Sequence, residues 1–132
     1  MLIQTRGCCV AAYLFTNDAG QSIVTMISGD CGISFYNEAS GAITKFEFER
    51  YKLLNCRFLD LDQLSGSFVF QANIDKQSHI LVAQIGKQMT ATVTGKFKVN
   101  QYHQQLCASI QNNKISLLQR ENDFYFVDTL YV

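Results

Sequence analysis

The sequence predicts an all-β fold in a single domain. About nine or ten strands in an antiparallel meander should curve into a barrel or half-barrel, with a two-sheet sandwich as the alternative. Three observations lead there. In residues 89–99, Met89, Ala91, Val93, Phe97 and Val99 alternate with Thr90, Thr92, Thr94, Lys96 and Lys98. Successive side chains of an extended chain point to opposite faces, so this is a strand with one apolar face and one wet face. Proline is absent, which leaves every strand interior able to donate its N–H groups to a ladder. The apolar runs are separated by short segments of Gly, Asn, Asp and Ser, which suit tight turns, whereas parallel crossovers need a dozen or more residues. A single sheet of that many strands curls or closes on itself.

The elements follow in order. Cys8–Phe15 is apolar on both sides of the alternation and predicts a strand covered on both faces. Asn17–Gly20 is a turn in which Gly20 can take a positive φ. Ser22–Ile27 returns to make a hairpin over residues 8–27. Ser28–Gly32 turns into a short strand at Ile33–Tyr36, and Asn37–Gly41 turns again. Over residues 43–58, Thr44, Phe46, Phe48 and Arg50 alternate with Lys45, Glu47, Glu49 and Tyr51, which reads as a strand. Glu47–Leu54 holds helix-forming residues but no stripe at 3.6-residue spacing. Leu59–Leu64 fits one helical turn or a loop. Phe68, Phe70, Ala72 and Ile74 share one face of a strand, and 75–78 is a turn. Ile80–Ile85 leads into the long strand ending at Val99, with bends at Gly86 and Gly95. Leu106–Ile110, Ile115–Leu118 and Phe124–Val132 complete the set, separated by Asn112-Asn113 and by Glu121–Asp123.

At 132 residues the chain can bury one substantial core, and its ten Phe and six Tyr make that core aromatic in the absence of Trp. Eleven basic residues balance eleven acidic ones, so no global charge recruits nucleic acid or an anionic membrane. Lys87, Lys96 and Lys98 with Tyr102 form too small a basic strip to alter that expectation. The five cysteines (Cys8, Cys9, Cys31, Cys56 and Cys107) are odd in number and irregular in spacing. They read as reduced, mostly buried thiols of a cytoplasmic protein, with one disulfide involving Cys31 as the arrangement expected after export. Arg6 and the apolar run at residues 8–15 have the outline of a short leader. That run is brief, and Thr16-Asn17-Asp18 follows it in place of a small-residue cleavage site. No run approaches the roughly 18 apolar residues of a membrane span.

Chemistry-bearing residues are few. Ser78 and His79 point to opposite faces of a strand, and His103 and Cys107 lie about 13 Å apart at the strand rise. Glu47 and Glu49 share a face with Lys45 and read as a solvated strip, and Asp60 and Asp62 read as loop acids. No zinc-like ligand spacing and no phosphate-cradling glycine pattern occurs, so neither metal nor cofactor is expected. Neutral amides are plentiful at Gln84, Gln88, Gln101, Gln104, Gln105, Gln111, Asn112 and Asn113, and they suit a hydrogen-bonding surface.

These features point to a non-enzymatic protein-binding module, an inhibitor or immunity-type protein that occludes the active site of a basic, nuclease-like toxin or enzyme. The expected contacts are the acids at turns and strand ends: Asp18, Asp30, Glu38, Asp60, Asp62, Glu121 and Asp123. The alternative is an intracellular barrel whose Phe-rich interior holds an apolar small molecule. Neither the Gly-X-Trp of lipocalins nor a helix pair to lid a lipid-binding barrel is present. An enzyme with a dispersed site is a third class.

Overall fold

The computed structural model describes residues 8–48 and 53–132, which form eleven strands. They are β1 (Cys9–Thr16), β2 (Ser22–Ser28), β3 (Ile33–Asn37), β4 (Ile43–Phe46), β5 (Leu54–Leu61), β6 (Ser67–Ile74), β7 (Gln77–Gly86), β8 (Thr90–Lys98), β9 (Gln104–Gln111), β10 (Lys114–Glu121) and β11 (Phe124–Tyr131). The all-β, antiparallel expectation holds, and no helix is assigned among the described residues. One strand more appears than the upper expectation, because residues 43–58 contain two strands rather than one. Glu49, Arg50 and Tyr51 of that expected strand, and Arg6, lie outside the described residues.

Hairpin geometry sets the connections. Asp75-Lys76 and Asn112-Asn113 both adopt positive φ, which matches the two-residue turns whose twist suits paired strands. Gly20 has φ 77° in the β1–β2 turn, as its position predicts. Gly66, at φ 73° in the β5–β6 turn, is held for a second reason: a Cβ there would lie 2.6 Å from the Tyr13 ring.

The ladders form three open sheets in the orders β1-β2-β3-β4, β5-β6-β7-β8 and β11-β10-β9. No sheet closes on itself among the described residues, so the curvature expected of a barrel does not show as a continuous ladder. The reason lies in the central sheet. Phe68, Phe70, Leu81 and Ala83 face one way and pack with Ile23, Ile27, Ile33 and Phe35 of the N-terminal sheet. Val69, Ile80 and Val82 face the other way and pack with Ile110, Ile115 and Leu117 of the C-terminal sheet. Strands apolar on both faces need a covering layer on each side, and two separate cores result.

The long alternating strand serves both. Val82 pairs with Gly95 but Ala83 pairs with Val93, so Thr94 is an extra, bulged residue. A bulge reverses the facing of everything beyond it. Ala91 and Val93 therefore join the first core, and Phe97 and Val99 join the second. The bend expected at Gly95 is this bulge. β1 departs from expectation: it is an edge strand with alternate residues exposed, including Leu14, because no layer covers its outer face. Leu59–Leu61 extends β5 instead of forming a helical turn.

Candidate docking surface on the C-terminal sheet

The C-terminal sheet is covered on one side only. Ile110, Ile115, Leu117 and Leu130 face the central sheet. Register then places Gln111, Ser109 and Cys107 of β9, Lys114, Ser116, Leu118 and Arg120 of β10, and Tyr131, Thr129, Val127 and Tyr125 of β11 together on the outer face. Tyr125 is 63% exposed, Val127 62% and Tyr131 71%. Three large apolar side chains thus stand in a row along one edge of a mostly polar face, beside Arg120, which donates to Gln104 Oε1 at 2.6 Å. At the other end of the face lies a shallow depression of about 440 Å³ lined by Ser109, Gln111, Asn112, Lys114, Ser116 and Tyr131. Its hydroxyl, amide and ammonium groups, with one phenol ring, are equipped to hydrogen-bond and stack.

The inner face carries a buried polar relay. Gln71 of β6 donates to Gln105 Oε1 (3.0 Å), Gln105 donates to Gln119 Oε1 (2.9 Å), and Gln119 donates to Asp128 Oδ2. Gln105 and Gln119 are buried. Buried amides need such partners, and here each bond also ties one strand to the next from the central sheet out to β11. Gln105 is therefore an interior residue, in contrast to the surface reading of its amide, whereas Gln104, Gln111 and Asn112 do lie at the surface.

The seven predicted acidic contacts do not form one site. Asp18 and Glu38 lie at one end of the N-terminal sheet, where Asn17, Gln21 and Asn37 knit the β1–β2 and β3–β4 turns together. Asp30 lies at the opposite end, in the β2–β3 turn, and accepts from the Ser28 hydroxyl. Asp60 and Asp62 are engaged within the fold. Asp60 accepts the Ile110 amide at 2.9 Å, and Asp62 accepts those of Leu64 (3.0 Å) and Asn112 (3.3 Å). Arg57, which donates to the Gln105 carbonyl at 2.8 Å, and Asp60 thus take up outward-facing backbone groups of β9, and Asp62 holds the turn that follows it. The Leu64 N–H, above all, holds the Asp62 carboxyl below its ordinary range, against the opposing effect of its burial. Only Glu121 and Asp123, at the β10–β11 turn, border the exposed row; Glu121 pairs with His103 at 3.0 Å.

The expectation of mostly buried thiols fails: Cys8, Cys9 and Cys107 are exposed, because they lie on uncovered strand faces and at the start of the described chain, and Cys56 is half-buried. Cys31 is buried, and burial pushes its thiol well above the ordinary value, with Cys56 and Asp30 adding to the effect. Burial raises Cys56 as well, with Asp30 contributing. A raised thiol pKa disfavours the reactive thiolate. No group of three or more His, Cys, Asp or Glu side chains with metal-binding geometry occurs among the described residues. No described helix is long and apolar enough to cross a membrane.

Tyr125, Val127 and Tyr131 were missed as candidates, although a signal was present. Residues 124–131 are apolar or aromatic at both parities and carry a single charge, Asp128, which ordinarily marks a buried strand. As the last strand of a sheet covered on one side, β11 leaves half of that surface outside. No family model, curated protein or solved structure matches the chain.

Proposed function

We propose that this chain is a non-enzymatic protein-binding module of the inhibitor or immunity type, and that it docks its partner on the outer face of the C-terminal sheet. The observation that carries this reading is the exposure of Tyr125, Val127 and Tyr131 along one strand, on a face whose other residues are mostly amides, hydroxyls and two cations, with Leu118 and Cys107 among them. Solvent-exposed aromatic rows are costly to leave in water, and Tyr is enriched where protein interfaces draw their affinity. Glu121 and Asp123 border the row and favour a partner with a basic rim, which keeps a nuclease-like enzyme or toxin as the expected class. Asp18, Asp30 and Glu38 stand apart from this face and act, at most, in long-range attraction.

The alternative, a carrier for an apolar small molecule, has less support. Phe35, Phe68 and Phe70 are completely buried, and Phe68 stacks on Phe70 with ring centroids 5.5 Å apart. These rings fill the core between the N-terminal and central sheets instead of lining a cleft.

Affinity capture from the cells that make the protein tests the proposal. Tagged wild type is compared with Tyr125→Ser/Val127→Ser/Tyr131→Ser and with Asp18→Asn/Glu38→Asn. The expected result is one stoichiometric basic protein that the first variant loses and the second keeps. Capture unaffected by the first variant, or lost only with the second, overturns the assignment of this face.

A further inference from the structure

The six sheet edges of this protein are not treated alike. β4 is only four residues long. β1 is bulged at Val10 and has its Ala12 carbonyl taken by the Gln63 side-chain amide at 2.9 Å. β5 is irregular at two points, and β8 is bulged at Thr94 and carries Lys96 and Lys98. β9 is bulged at Leu106, Arg57 and Asp60 occupy its outward backbone groups, and Asp62 takes the Asn112 N–H just beyond it. Short length, bulges, lysines and capping side chains are the devices by which proteins keep sheet edges from pairing. β11 has no bulge, lysine or capping side chain, and its one protective device is the inner-face charge of Asp128. Its eight residues pair with β10 in unbroken register, and Asp128 is its one charge.

The outward backbone groups can be identified. Val132 N–H donates to the Asn113 carbonyl across the hairpin, so the even-numbered residues of β11 direct their N–H and C=O groups toward β10. Alternation leaves those of Tyr125, Val127, Thr129 and Tyr131 directed away. Asp128 and Phe124 are exposed although they lie on the inner face, so the central sheet leaves these positions uncovered; only at its end does the edge meet that sheet, where Val132 lies against Gly95 of β8.

We infer that β11 pairs antiparallel with β11 of a second copy of this chain, joining the two C-terminal sheets into one six-stranded sheet. Two identical antiparallel strands are related by a two-fold axis perpendicular to the sheet, so one residue must face itself. Centring the pair on Asp128 would set two carboxylates opposite one another, which is unfavourable. Centring it on Val127 places Val127 against the second copy's Val127 and Tyr125 against the second copy's Thr129. This register uses the outward groups of all three residues and makes aromatic–β-branched pairs on the outer face. It also puts Asp128 opposite the second copy's Phe126. The single charge of the strand thereby excludes the Asp128-centred register, the aromatic–β-branched pairs favour the Val127-centred one, and the second copy is a fitting occupant because the strand complements itself. The outer face stays exposed in the joined sheet, so this inference shares Tyr125 and Val127 with the function proposed above but does not rest on it.

Sedimentation equilibrium of the purified chain between about 1 and 100 µM, with no partner present, tests it. The wild type is expected to be a dimer and Thr129→Pro at least tenfold weaker. That substitution removes an outward N–H, which proline tolerates at an edge, and spares the aromatic row. Circular dichroism establishes that the variant folds. Register is read by mild oxidation. Val127→Cys should yield a disulfide-linked dimer above the wild-type level, because facing Cα atoms in a hydrogen-bonded pair are about 5.5 Å apart. Thr129→Cys, which faces Tyr125 instead, should not. A wild-type chain that stays monomeric to 100 µM overturns the inference. So does a dimer that folded Thr129→Pro leaves intact with no Val127→Cys cross-link, or an edge that pairs only with a different protein.

Discussion

β6 and β11 are each eight residues long, and each has an aromatic-rich run in its first half, Phe68-Val69-Phe70 in one and Phe124-Tyr125-Phe126-Val127 in the other. Their fates are opposite. Phe68, Val69 and Phe70 are wholly inaccessible, whereas Phe124 is 76% exposed. The difference lies in what flanks the strand. β6 has a ladder on both sides and a sheet against each face; β11 has one ladder, a bare outer face and an inner face covered only in part, with Leu130 packed on the core and Phe124 and Asp128 exposed. Composition sets what a strand tolerates, and its position in the layers sets what it does. An aromatic strand at an interior position is a core, and at an edge it leaves much of its apolar surface in water.

The largest way to break this contrast is to remove a ring from β6. Phe70→Ala should cost about 3–5 kcal/mol, because it opens a cavity against Phe48 and Phe68, whose centroids lie 5.6 and 5.5 Å away. Urea denaturation monitored by circular dichroism reads the loss. If Phe70→Ala costs no more than a substitution on β11, the contrast fails.

Asp62→Asn comes next, with a loss of about 2 kcal/mol at neutral pH as the amides of Leu64 and Asn112 lose a charged acceptor. Its pH dependence sharpens the reading. Asp62 has a depressed pKa in the folded state, so its contribution is fully present above its ordinary value of 3.8 and is lost as pH falls through the lower, folded value. The stability gap between wild type and Asp62→Asn should therefore close on acidification through that window. A gap that stays constant with pH would show that the carboxylate charge is not what matters.

These two regions also show how far residue pattern alone reaches. Strand identity was legible almost throughout, since alternation at Phe68–Ile74 and Met89–Val99 and the Asn112-Asn113 turn are local signals. What was not legible was which face of an alternating strand meets which core. The bulge at Thr94 sends Val93 and Phe97 to different cores although they sit at the same parity, and only the pairing with β7 discloses it. Asp60 and Asp62 looked like turn acids free for a partner. Their role as acceptors for β9 and the turn that follows it, some fifty positions along the chain, is non-local and leaves no mark in their own neighbourhood. Tyr125, Val127 and Tyr131 looked like core for the same reason.

A smaller effect with the opposite sign is expected at Thr25, which is fully buried with a hydroxyl that has no hydrogen-bond partner among the described residues. Thr25→Val keeps the shape and removes that cost, so it should raise stability by about 1 kcal/mol, read as a higher urea midpoint. A destabilised variant would mean the hydroxyl is satisfied. The smallest effect belongs to β11. Tyr125→Ser/Val127→Ser/Tyr131→Ser should change stability by less than about 0.5 kcal/mol per site while abolishing partner capture.

Hydroxyl-radical footprinting read at single residues, on the chain alone and on the complex it enters, tests the central claim most directly. Tyr125 and Tyr131 are expected to label rapidly in the free chain, Phe68 and Phe70 only on unfolding, and both tyrosines to become protected when the partner binds. Tyrosines as protected as Phe68 in the free chain, or labelled equally with and without the partner, would contradict it.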